Sequence, residues 1–298
     1  PAINMLIQAL TDGNDKIIIQ PPVYYPFMNS VVNNSRKLLQ NSLIFENGKY
    51  QIDFEDFENK AKDLQTRMFI LCSPHNPVGR VWSREELIKI GEICYDNNVI
   101  IISDEIHCDI ILGKNKHIPL GTVSEDLLLN SITCTSPSKT FNLAGLNTSN
   151  IIIADPILKK KFTHKLKQNG LGSPNLFGAA ALESAYKNGE EWLNNLLQYI
   201  EENLSYMKTF ITKNIPQIKI IEPESTYLVW LDFRELGLST VELKNLLLKK
   251  AGLALSDGYI FGEDEGKGFE RINIACPMEQ LRQAMAKLQK AIDEHLSN

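Results

Sequence analysis

The sequence has 298 residues, 43% of them apolar and 22% charged, with a formal net charge of −5. Such a chain is long enough for two domains, and its composition excludes disordered and fibrous classes. The acidic balance argues against a nucleic-acid or anionic-membrane surface, which needs clustered Lys and Arg. The only basic runs, residues 159–161 and 249–250, read as solvated helix ends.

Residues 2–10 read as an amphipathic helix that starts immediately after Pro1, so the chain is expected to enter in mid-domain. Strands and helices then alternate. Residues 16–20 are an apolar strand, 28–39 a helix, 42–45 a short strand, 54–65 a helix and 67–72 a strand. Ser83 followed by Glu86 is a capping box that opens a helix to Asn97. Strands follow at 99–103, 131–135 and 150–154. Near-continuous apolar strands separated by helices predict a mostly parallel sheet covered on both faces, an α/β fold. After Pro174 the grammar changes to long helices at 177–187 and 191–213, strands at 218–221 and 227–233, a helix at 240–250, the strand around Arg271 and a closing helix at 278–295. This is a smaller C-terminal α+β unit. The boundary is placed at Ser184, giving domains 1–183 and 184–298.

No apolar run approaches the ~20 residues of a membrane span, and no signal-peptide pattern is seen, so a cytoplasmic location is expected. Five cysteines, Cys72, Cys94, Cys108, Cys134 and Cys276, show no C-x-x-C spacing. They read as reduced core thiols, and no metal site is expected.

Candidate chemistry concentrates just past the strands. Lys139, in Ser136-Pro137-Ser138-Lys139, is a candidate imine-forming nucleophile because desolvation beside a buried strand favours its free amine. Taken alone, a solvated loop lysine is the plainer reading. Asn76 and Asp104 also lie just past strand ends, where ligands bind in parallel sheets. Each candidate has a structural reading as well. Asn76 could simply form the Asn-Pro turn, Asp104 could cap a helix, His107 could be a core histidine, and Tyr24 and Tyr25 could be an aromatic core stripe. Arg271 could pair at the surface with Glu270 or Asp264.

Four stretches taken together narrow the choice: Ser73-Pro74-His75-Asn76-Pro77, Ser103-Asp104-Glu105-Ile106-His107, the Lys139 run and Phe269-Glu270-Arg271. In order and spacing they resemble the fold-type I pyridoxal-phosphate (PLP) enzymes of the class I/II aminotransferase family. With Pro22-Val23-Tyr24-Tyr25-Pro26-Phe27, they are most similar to its cystathionine β-lyase-like C–S lyase branch. The resemblance covers nearly the whole chain. It implies a PLP-binding large domain, a homodimer and an amino-acid substrate.

By that resemblance Lys139 carries PLP and moves the substrate Cα proton, and Tyr25 directs its hydroxyl toward that lysine. Asp104 faces the pyridine nitrogen, Asn76 the ring 3-oxygen, and Tyr24 stacks on the ring. Ser136, with Ser138 beside it, contacts the phosphate, and Arg271 grips the substrate α-carboxylate. Two positions depart from the wider family. His107 stands where aminotransferases proper often carry tyrosine, and Asn147 stands where many members place a phosphate-binding arginine, which implies a looser phosphate grip. The resemblance also implies further residues ahead of Pro1, and so weak PLP binding by the chain as it stands. The implied reaction is C–S β-lysis of cystathionine- or cysteine-type thioether amino acids. An aminotransferase would share every residue named. An effector-binding domain of a transcription regulator is the alternative from another class.

Overall fold

The computed structural model describes residues 1–297. Its main sheet has six strands in the order Lys37–Gln40, Lys16–Ile19, Thr66–Cys72, Ile100–Asp104, Ser131–Thr135 and Asn150–Ile153. All neighbours are parallel except the last pair, where Asn150–Ile153 runs antiparallel.

The apolar runs are explained by alternation between two covered faces. Ile18, Phe69, Leu71 and Ile101 point into one core with Phe57, Leu87 and Ile90, from helices Phe54–Ala61 and Arg84–Asp96. Ile17, Ile19, Met68, Ile70, Ile102 and Ile132 point into the other. That second core is closed by helices Ala2–Leu10, Pro26–Asn33 and Pro156–Gln168, through Leu6, Phe27 and Phe162. The Ser83 capping box forms in both directions at the start of Arg84–Asp96.

The expected helix over 28–39 stops at Asn33. Ser35 takes a left-handed conformation (φ 59°), and the backbone N–H groups of Ser35 and Arg36 bond Val32 O and Val31 O, turning the chain into the edge strand Lys37–Gln40. The basic run 159–161, read as a helix end, lies inside helix Pro156–Gln168, which Asp155 caps by accepting from Leu158 N at 2.7 Å and whose first turn holds a proline. The helix expected at 240–250 is Thr240–Asn245 continued by a π turn, Leu246–Lys250.

The C-terminal residues form an antiparallel sheet ordered Ser256–Asp257, Phe269–Asn273, Leu228–Asp232 and Lys219–Ile221. One face packs on helices Glu190–Asn214 and Met278–Leu296 in a separate core. The other face joins the first core: Trp230 stacks on Phe269 at 5.3 Å and donates from Nε1 to Tyr50 OH at 3.1 Å. Arg271 lies in the middle of strand Phe269–Asn273, with Trp230 opposite it. The C-terminal sheet thereby presents Arg271 toward the carboxyl ends of the main sheet.

Candidate active site

The carboxyl ends of three adjacent parallel strands, Thr66–Cys72, Ile100–Asp104 and Ser131–Thr135, open onto a cavity of 620 Å³. Every residue singled out from the sequence lines it: Tyr24, Tyr25, Asn76, Asp104, His107, Ser136, Lys139 and Arg271. Cys72, Asp104 and Cys134 sit in one row of the sheet.

Asp104 ends its strand with the carboxylate toward the cavity and accepts one bond, from Ile106 N at 3.3 Å. Burial pushes its pKa up to about 6; the neighbouring Glu105 charge adds to the rise, while the Ile106 bond and the charge of Lys139 oppose it. A buried carboxylate with so little compensation is set up for a cationic N–H donor. The helix-cap reading therefore holds only as a short turn to Ile106.

Asn76 and Arg271 form a pair across 195 residues of sequence. Arg271 Nη1 donates to Asn76 Oδ1 at 2.8 Å, and Nη2 donates to Ser256 Oγ at 3.2 Å. The guanidinium also lies over the Phe261 ring at 4.6 Å. It pairs with neither Glu270 nor Asp264 among the described residues. Because Arg271 can only donate, the Asn76 amide must turn its oxygen toward it, which leaves the Nδ2 hydrogens free for another partner.

Lys139 stands on the four-residue helix Pro137–Thr140, directly after strand Ser131–Thr135, and its Nζ has no partner among the described residues. His107 is buried edge-on to Tyr227 at 6.1 Å, and its Nδ1 has no bonding partner among the described residues. Burial first, then the charges of Lys139 and Arg271, pull its pKa down to about 3, so the imidazole is neutral.

Tyr24 is half-buried, 5.7 Å from Phe27 in an edge contact and 5.6 Å from Tyr25. Tyr25, 39% exposed, meets Phe261 edge-on at 6.1 Å. This aromatic loop is pinned twice: Val23 N donates to Phe261 O at 2.8 Å, and His75 Nε2 donates to Pro22 O at 2.9 Å.

The opposite end of the cavity is neutral. Ser136 Oγ accepts from Ser138 N at 3.1 Å and lies 2.7 Å from Thr148 O, so its proton is engaged by a backbone carbonyl. Asn147, left-handed at φ 49°, donates to Gly145 O at 3.3 Å. Residues 1–4, at the start of helix Ala2–Leu10, also line the cavity. The residues that sequence reasoning passed over are Tyr227, which closes over His107, and Ser256, which holds Arg271. A buried aromatic at the start of a strand was the only available signal for Tyr227, and Ser256 gave none.

The family model described as aminotransferase class I and II matches residues 1–288. The chain is 44% identical to the cystathionine beta-lyase PatB of Bacillus subtilis, over 98% of this chain and 75% of that protein. Among solved structures, it superimposes on cystalysin from Treponema denticola, which contains a pyridoxal 5'-phosphate cofactor, with TM-score 0.96 and 39% identity over 99% of this chain and 74% of that one. It also matches the PLP-bound C–S lyase of Staphylococcus hominis with TM-score 0.90 and 35% identity, over 97% and 73% of the two chains.

Proposed function

Since this chain belongs to the aminotransferase class I and II family, we propose that it is a PLP-dependent carbon–sulfur β-lyase acting on cystathionine- or cysteine-type amino acids. The observation that carries the reading is the meeting of Lys139, Asp104 and Arg271, from three separate elements, in one cavity. The donor set suits PLP. The under-compensated Asp104 carboxylate matches a protonated ring nitrogen, the free Asn76 Nδ2 matches the ring 3-oxygen, and Tyr24 offers an aromatic face. When bound, PLP supplies an electron sink for the pair released at the substrate Cα.

The chain's own groups do the rest. Lys139 would hold the cofactor through Nζ, and the same amine would take the substrate Cα proton. Asp104 would hold the proton on the ring nitrogen. Arg271, fixed by Asn76 and Ser256, would bind the α-carboxylate in a fork and so orient the substrate. Tyr25 directs its hydroxyl to the same region. His107 stays neutral beside Tyr227, and Ser136 and Ser138 frame the phosphate end. The balanced reaction converts L-cystathionine and water into homocysteine, pyruvate and ammonia.

The same reading includes an amino-acid substrate, a homodimer, a cytoplasmic location and a division into domains 1–183 and 184–298. Among the described residues no helix is long and apolar enough to cross a membrane. The test is to supply L-cystathionine with PLP and no 2-oxo acid. Pyruvate and homocysteine should appear in equal amounts, whereas turnover only with an added oxo acid would replace lysis by transamination.

A further inference from the structure

We propose that Asp109 is a positioning residue that sets where Lys139 reaches into the cavity, by holding Thr140 against the segment that carries Asp104 and His107. The inference rests on Lys139 being the PLP-bearing lysine.

Thr140 follows Lys139 and is fully buried. Its Oγ1 donates to Asp109 Oδ2 at 2.7 Å, across 31 residues of sequence. Asp109 belongs to the turn that leaves strand Ile100–Asp104, only two residues beyond His107. Tyr186 OH donates to the same Oδ2 at 3.2 Å, and Cys108 Sγ lies 3.7 Å from Oδ1. One carboxylate thus joins three elements: the lysine turn, the turn of Asp104 and His107, and helix Leu176–Asn188.

This clamp has a local reason to exist. The helix carrying Lys139 has only four residues, too short to fix its own orientation. Its other side is held by apolar contact, with Phe141 edge-on to Tyr186 at 5.3 Å and 5.8 Å from Trp192. Ring contacts tolerate sliding, whereas a hydrogen bond to a carboxylate fixes both direction and distance. Ser138 is tied to Ser136 on the N-terminal side of Lys139, and the Thr140 bond is the directional restraint on its C-terminal side, the one that ties it to the Asp104 turn. Covalent capture needs Nζ to add to the aldehyde carbon as water leaves, with no change of oxidation state. Small misplacement of a reacting group is costly in rate.

The test mixes the apo chain with PLP, follows covalent capture by visible absorbance, and locates the attachment by borohydride reduction and peptide mapping. Thr140→Val, which keeps the shape and loses the donor, should slow capture by about 10-fold to 100-fold. Thr140→Ser should restore it, and Tyr186→Phe should change it by less than about 3-fold. The double variant Asp109→Ala with Thr140→Val should be no slower than Asp109→Ala alone. If Thr140→Val does not fold, Asp109→Asn against wild type decides by the same readout. Wild-type capture rates in the folded variants, with only the melting temperature lowered, would overturn the inference while leaving Lys139 in place. Wild-type capture by Lys139→Ala would instead remove the assignment on which it rests.

Discussion

The two ends of the cavity are built on different principles. At the sheet end, Asp104, Asn76, Arg271 and His107 are buried or half-buried, and Arg271 is fixed by three neighbours before any ligand arrives. At the other end Ser136, Ser138 and Asn147 offer neutral hydroxyls and an amide, already bonded in part to each other and to the local backbone. In the proposed reading, costly desolvated charge is thus concentrated where bonds would break, while the end assigned to the phosphate uses weaker dipoles.

The largest expected effect tests the charged end. Asp104→Asn removes the carboxylate assigned to the ring nitrogen in the proposed reading and should lower kcat for cystathionine lysis by about 10²- to 10⁴-fold. PLP should remain attached at Lys139. A variant with near wild-type kcat would show that the ends do not differ in this way.

The next effect concerns stability. Burial pushes His75 down to about 4, against about 6.5 in an unfolded chain. Its folded pKa is depressed, and for a base the favoured buried form is the neutral one. The stability it contributes is present above about pH 6.5 and is lost as pH falls toward about 4. His75→Gln keeps a donor for Pro22 O. Its stability difference from wild type should therefore shift in its favour across that window, by at most about 3 kcal/mol in urea titrations. A difference that is flat with pH would show that His75 titrates alike in both states.

The smallest effect tests the neutral end. Asn147→Arg should tighten PLP binding by about 1 kcal/mol, roughly fivefold, because a charged donor replaces a neutral one. Equal affinity by fluorescence titration would mean that side chain does not reach the phosphate.

Much of this was legible in the sequence wherever chemistry coincides with a local rule. The runs ending at Cys72, Ser103 and Thr135 read as strands because both faces are buried, and that fixed Asn76, Asp104 and Lys139 at one edge. The edge strand Lys37–Gln40 was missed because Leu38 and Leu39 continue the helical spacing of Val31 and Val32. Only the turn at Asn33-Asn34-Ser35 signalled the break. The antiparallel strand Asn150–Ile153 was not legible as such, since strand direction leaves no mark in an apolar run. The Asp109–Thr140 bond and the seat of Arg271 on Ser256 depend on pairings 31 and 15 residues apart, which no local pattern encodes.

The bond between Arg271 and Asn76 has one more consequence. Its donor comes from the C-terminal sheet and its acceptor from a loop of the main sheet, so the group proposed to bind the substrate carboxylate keeps this shape only while the two cores are seated together. A substrate that binds there is a ligand of the joint rather than of either core, and by linkage it strengthens the joint by as much as the joint strengthens its binding. Asp104 ends a strand of the main sheet and Lys139 stands on the turn after the next one, so neither is presented by the C-terminal sheet itself. As the molecule warms, its hold on substrate would slacken before its hold on the cofactor.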